Sequence, residues 1–374
     1  MSSTAAVEQP VASSLLNKTT KVRYDWLDAI KAIAITFVIF HHLAFNSYNP
    51  YNAMVTHIML PLFFAASGFT FSLKKAADAK AFFIGKLKRL VIPYIALIFM
   101  SVLISSIPKI VYGKTTFTEV FVTIIKDILT AEAMWYLACL FVTECMMFLV
   151  VRVFGSKDWV LMLSGMVSLI VGFILLKFKL KLWFQIDVAF ISYPILLFGF
   201  FIKKYVIPLS KKKRLLSGVA ASVLYLANIA IEYIFGHKAL IVGMYGRYYP
   251  HFPADIIQMA VGIYAVFTLV SLMKIPKFIA CYGRNTLFYY GFHTTFKTYL
   301  FVVLSAVNPL WTEDYFKSDL KMRIIYAFIT TGIIIIMIPF CYVTNQILPW
   351  IVGKTPEETN SVWLKKAKKQ KEKA

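Results

Sequence analysis

Two adjacent histidines inside an apolar run are the residues of this chain best suited to do chemistry. The stretch 25–43 opens on Asp25, Asp28 and Lys31, turns apolar, and then carries His41 and His42. At 3.6 residues per turn, a helix returns His42 to within about 20° of the Lys31 direction, roughly 16 Å further along the axis. Asp28 lies about 40° from the His42 direction, and His41 points about 80° aside from Lys31. Ionisable groups at membrane depth are costly and mark functional positions by default. An imidazole titrates near neutrality and takes a proton from a hydroxyl, which makes His42 a candidate general base. A buried histidine bonded to a neighbouring carbonyl is the plain alternative, and His41 is read as support or packing.

Further candidates occur along the chain. Lys86 and Arg89, with Lys88 between them, enter the third apolar segment three residues apart. They read either as charges that set topology or as a clamp for the phosphates of a cytoplasmic donor. Glu144 falls near the middle of the fourth segment, where a carboxylate needs a partner or a proton. It either orients a histidine or bonds across helices. His57 reads as an interfacial residue or a substrate contact. Trp135 and Tyr136 occupy an aromatic-belt position at a span entry. Thr286, Tyr289, His293 and Lys297 form a polar stripe at i, i+3, i+4 spacing, read as lining a cavity or as a structural network. Asp187 and Asp255 lie near span ends, where exposure is the cheap explanation.

These residues need a scaffold, and composition says which. The 374 residues are 59% hydrophobic and 16% charged. A soluble domain of this size could not hide so much apolar surface, and repeated apolar runs of about 20 residues match a bilayer core. The expected fold is an all-α polytopic membrane bundle. Spans are expected at about 30–48, 54–73, 91–107, 135–153, 158–176, 187–202, 215–235, 255–273, 285–305 and 324–347. Of 40 Lys and Arg, 28 fall on one side, 11 on the other, and Lys297 lies within a span. The positive-inside bias then places both termini in the cytoplasm. Lys177, Lys179 and Lys181 sit on the nominally wrong side. The segment 108–134 reads as a long outside loop or an interfacial helix around Thr118–Leu129. Residues 1–23 are expected as a polar cytoplasmic segment without a cleavable signal peptide, 24–352 as the membrane domain, and 353–374 as a basic cytoplasmic tail. That tail is a solvated anchor or a contact for anionic lipid.

The net charge of +22 is spread over alternate loops, so it does not point to nucleic acid. The four cysteines show no metal-ligand spacing or disulfide framework and read as buried thiols. Walker, serine-elbow, zincin and Rossmann motifs are absent from the sequence. No metal and no bound cofactor are expected.

Five stretches, taken in order, resemble the acyltransferase-3 family of integral-membrane O-acyltransferases, close to its sugar O-acetylase branch. Asp28, Lys31 and His42 match its first-span register, which favours His42 over His41. Pro61 to Phe69 matches its Pro-Leu-Phe-Phe-x-x-Ser-Gly-Phe stretch. Lys86 and Arg89 followed by Pro93, and Trp135 to Leu137, match two further elements. Gly283, Thr286, Leu287, Tyr290 and His293 match a late one. Lysine stands at Lys31 and Lys86 where arginine is commoner in the family, and the first-span histidine is doubled.

The resemblance implies transfer of an acyl group, usually acetyl, from cytoplasmic acyl-CoA to the hydroxyl of an extracytoplasmic or cell-surface sugar, in the cell membrane. The acceptor is then a surface glycan or a lipid-linked sugar, and membrane lipids are the other partners. Lys31, Lys86, Lys88 and Arg89 are assigned to the donor. His42, His41 and Glu144 are assigned to catalysis, with His42 acting as base or accepting the acyl group itself. His57, Trp135, Tyr136, Tyr290, His293 and Lys297 are assigned to the acceptor side and cavity. The rival reading is a transporter or flippase for a glycan or lipid-linked sugar, which would use the same polar residues for passage. A regulatory membrane module is a third, for which the short soluble portions leave little room.

Overall fold

A computed structural model describes residues 23–43, 50–234, 242–317 and 320–359. The remaining parts of the expected N-terminal segment and basic tail, and the 44–48 end of the first expected span, lie outside the described residues.

The described chain is helical, with one isolated β-bridge between Gly243 and Tyr248. The principal helices are α1 (Asp25–Leu43), α2 (Pro50–Thr56), α3 (Pro61–Thr70), α4 (Ile92–Val111), α5 (Phe117–Thr130), α6 (Trp135–Phe154), α7 (Asp158–Lys177), α8 (Ile186–Phe201), α9 (Lys211–Ile234), α10 (Ala254–Val270), α11 (Lys277–Arg284), α12 (Thr286–Val307) and α13 (Leu320–Ile347). Seven stretches among the described residues are long and apolar enough to cross a membrane by length and composition, and Met54–Thr70 and Ala254–Val270 are shorter apolar helices. The protein is an all-α, multi-pass membrane bundle.

Its centre is α1. Asp25 and Asp28 in the first turn suit the positive end of the helix dipole, and His41 and His42 in the last turn suit the negative end. Ile30, Ile35, Ile39 and Leu43 are fully buried. Around α1 pack α3, α10, α11, α12 and α13. The span containing α8 is the most enclosed, at 72% buried, against 22–28% for α7, α9 and α13, which form the rim.

Close approach of helices is paid in glycine. A Cβ on Gly68 of α3 would sit 1.8 Å from the Leu196 carbonyl oxygen, and one on Gly199 of α8 1.9 Å from that of Ala65. Only two glycines let these backbones touch, a small-residue crossing of the kind that membrane bundles favour. Pro61 does not kink a continuous span. It starts α3 after a turn at 57–60, where its missing N–H costs nothing.

The segment 108–134 contains α5, in keeping with the interfacial-helix alternative. A reciprocal Thr116–Glu119 capping box opens it, and Ala131 in the left-handed region ends it. Cys139 and Cys341 are buried, whereas Cys281 is exposed, so the expectation of four buried thiols does not hold.

Candidate active site

The site has two poles along α1. At the Lys31 pole the buried Asp28 carboxylate accepts from Arg23 Nε at 3.0 Å and pairs with Lys31 Nζ at 2.5 Å. A Cβ on Gly283 would lie 1.7 Å from the Asp28 carbonyl oxygen, so glycine lets α11 press onto α1 at this point. Thr286, at the head of α12, lines the same cavity as Lys31. Asn285 Oδ1 accepts from Asn345 Nδ2 at 2.8 Å and from Lys354, and Lys354 Nζ also reaches Asn345 Oδ1 at 2.9 Å. Burial, together with the nearby charges of Arg23 and Lys31, pushes the Lys354 ammonium down to about 8.

Lys86 approaches the same pole. It pairs with Glu144, whose other carboxylate oxygen accepts from Ser67 Oγ at 2.5 Å. Glu144 therefore bridges α3, α6 and the Lys86 turn and, among the described residues, pairs with no histidine, in keeping with the alternative of a carboxylate bonded across helices. Lys88 is exposed. Arg89 donates to Glu358 Oε1 at 2.6 Å, so residues 354–359 fold back on the bundle here. Leu87–Val91 forms a π turn, and so does Ile202–Val206, which carries Lys203 and Lys204. Such widened turns recur at functional positions.

Beside Lys31 lies a cavity of about 210 Å³ bounded by α1, α3, α6 and α12. Lys31, Ser67, Thr70 and Thr286 supply polar groups to its wall, and Tyr136 and Tyr290 close it with aromatic rings 5.8 Å apart. A mainly apolar cavity with a few convergent polar groups has the make-up of a small-molecule site.

At the other pole the His42 and His293 rings lie 5.4 Å apart, and His41 packs edge-on against His42 at 5.4 Å. His41 Nδ1 is 3.0 Å from Asn52 Oδ1. His293 Nδ1 is 3.0 Å from the carbonyl oxygens of both Tyr289 and Tyr290. Carbonyls only accept, so Nδ1 carries the proton and Nε2 keeps its lone pair. That Nε2 is buried with no hydrogen-bond partner among the described residues. The imidazole is thus fixed in the tautomer that accepts a proton, beside His42.

Other predicted residues fall elsewhere. His57 is buried, its Nε2 3.5 Å from Asp255 Oδ1, and Asp255 also accepts from the His251 backbone N–H. It ties the α2–α3 turn to α10 and is neither an open interfacial residue nor part of the cavity wall. Asp255 and Asp187, expected to be exposed, are both buried and paired, Asp187 with Arg247. Lys297 pairs with Glu313 and lies outside the cavity lining. Tyr289 packs on Tyr282, so the α12 stripe divides between cavity, histidine pole and network. Trp135 is half-buried against Tyr245.

Arg23, Asn285, Asn345 and Lys354 escaped the sequence reading. Arg23, Asn285 and Lys354 lie in connections, whose pattern carries no period, and Asn345 lies near the end of α13.

A family model described as an acyltransferase domain matches residues 24–345. No curated protein and no solved structure matches the chain.

Proposed function

The chain belongs to the acyltransferase-3 family, and from that premise we propose that it moves an acyl group, acetyl in the simplest case, from cytoplasmic acyl-CoA to a hydroxyl of an extracytoplasmic or cell-surface sugar. The observation that supports this most is the His42–His293 pair, which is tied through the Tyr290 carbonyl bonded by His293 to a residue that lines the same cavity as Lys31. The basic pole suits the phosphates of the donor, with Lys31, Lys86, Arg89 and Lys354 nearby; Arg89 offers its guanidinium fork once Glu358 yields it. The thioester then lies in the cavity against Tyr136 and Tyr290.

At that point the acceptor O–H gives its proton to His42, and its oxygen attacks the thioester carbon. The C–S bond breaks, and the imidazolium returns the proton to the leaving thiolate. His293 Nε2 stands ready to take or share that proton. Acyl transfer through His42 itself is the other order of events, with the acyl group resting on the imidazole before the sugar oxygen removes it.

General base catalysis contributes about 10²–10⁴ in rate. Purified protein in vesicles with labelled acetyl-CoA and a glycan pool therefore tests the reading, wild type against His42→Ala. Loss of label transfer by that factor with an unchanged melting temperature is expected. Unchanged transfer in the variant rejects His42 as the reacting group. Absence of transfer by folded wild type with any acyl-CoA and acceptor turns the assignment toward transport.

A further inference from the structure

The loop after α7 carries a feature that acyl transfer does not use. Residues 177–183 alternate lysine with large apolar side chains: Lys177, Phe178, Lys179, Leu180, Lys181, Leu182, Trp183. Phe178, Leu180 and Trp183 are 66%, 51% and 68% exposed. Lys179 and Lys181 are exposed too, and among the described residues neither makes an ion pair. These lysines lie at the end of the bundle opposite the main basic loops, where the positive-inside rule gives them no purpose.

Beside the loop is a cavity of about 240 Å³. Lys179 and Lys181 stand at its edge, while Leu175, Leu176, Val188 and Ile191 from α7 and α8 make an apolar floor. Tyr249 lines it as well, and its hydroxyl is buried with no hydrogen-bond partner. Arg247 is not available to a ligand, because its guanidinium is held by Asp187, Gln185 and the Tyr245 carbonyl. The loop's shape is fixed: Trp183 Nε1 donates to the Leu129 carbonyl at 2.6 Å, and Gln185 Nε2 to that of Ala131 at 3.0 Å. Lys179, Phe184 and Gln185 are held in the left-handed region, which residues other than glycine rarely adopt.

We propose that this pocket binds the headgroup of an anionic glycerophospholipid, its phosphate on Lys179 and Lys181 and the first methylenes of its chain on the apolar floor. Two observations favour a lipid over an acidic glycan. The floor is apolar, which a sugar would not fill. The pocket also opens at the end of α7, a rim helix whose Met162, Leu163, Met166, Val167 and Ile170 are exposed along its length and so face the bilayer. Lysine stems lying on apolar surface with their heads at the phosphate level, and a tryptophan beside them, are the arrangement expected at a membrane interface. The inference needs only that the chain lies in a bilayer and is independent of the acyl-transfer reading.

Native mass spectrometry of the purified full-length protein, with phosphatidylglycerol or phosphatidylcholine added in equal amounts, tests it. Wild type is expected to retain phosphatidylglycerol preferentially. K179Q/K181Q should lose at least fivefold of that retention, since the exposed lysines are not needed for folding and the melting temperature should stay unchanged. Leu176→Trp, which fills the floor and leaves the lysines in place, should also reduce retention. Soluble glycerol 3-phosphate at matched concentration should not compete. Equal retention of both lipids, unchanged retention in K179Q/K181Q, displacement by glycerol 3-phosphate, or displacement by an acidic polysaccharide each overturns the proposal.

Discussion

His293 is the residue whose meaning changes most between sequence and structure. Its spacing marks it as one of a polar stripe, whereas the fold sets it against His42 with Nδ1 bonded to two carbonyls. A base needs its accepting nitrogen open and its other nitrogen held, and His293 meets both conditions. His293→Gln keeps a bonding side chain but removes the proton acceptor. It should lower acyl transfer by about 10²-fold or more with little change in donor KM; a change confined to KM would assign His293 to binding.

Lys354 gives a pH signature. Its ammonium pKa is lowered from 10.5 to about 8 by burial, so between about pH 8 and 10.5 the unfolded chain binds the proton that the folded chain has released. Stability owed to this group therefore rises with pH across that window, and the penalty for the buried charge is fully present below it. The melting temperature of Lys354→Met relative to wild type should accordingly be highest at pH 7 and fall by pH 10. If Lys354 also holds donor phosphate, the wild-type KM for acyl-CoA should rise as pH passes about 8, and the Lys354→Met value should stay flat.

Among the elements, the Lys86 turn, α3 and α6 are joined by one charge pair, Lys86 with Glu144, supported by Ser67. Glu144 is 4% exposed, so its charge has little water to fall back on. Removing one partner of a buried pair leaves an uncompensated charge and costs about 3–5 kcal/mol, while removing both together costs much less. Lys86→Met should thus destabilise strongly in a thermal unfolding assay. Lys86→Met combined with Glu144→Gln should recover most of the loss. Additive effects would show that the two side chains do not interact. By contrast, Arg89 with Glu358 is exposed, and a surface pair of this kind contributes about 0–1 kcal/mol. Its consequence is positional: it keeps the chain after α13 over the turn that carries the donor-side charges.

For the whole molecule, the distribution of lysine and arginine predicts orientation. With 28 of 40 on one side, both termini are expected in the cytoplasm. Epitopes at the two ends should then be shielded in right-side-out vesicles and exposed on permeabilisation. A cysteine at Lys181, introduced into a chain lacking its four native cysteines, should react with an impermeant reagent from outside. Reaction of either terminus in sealed vesicles contradicts this topology. Under the proposed function, that orientation would put Lys31 on the donor side and His42 on the acceptor side of one helix.

Class and family were legible in the sequence, because each rests on local quantities, whereas ten spans were expected and the described residues hold seven long apolar stretches and two shorter ones. Hydropathy over some 20 residues reports a span, and 3.6 residues per turn reports which side chains share a face of one helix. The partner of each ionisable group was not legible. Whether Glu144 meets a histidine or Lys86, whether His57 faces solvent or Asp255, and whether Lys297 lines a cavity or binds Glu313 all depend on how helices distant in sequence rotate and approach. That rotation is decided by contacts such as Gly68 on Leu196 and Gly283 on Asp28, where the absence of one methyl group lets two backbones meet. The first span announced a histidine at membrane depth; only the packing of α12 against it supplied the second histidine that makes the pair.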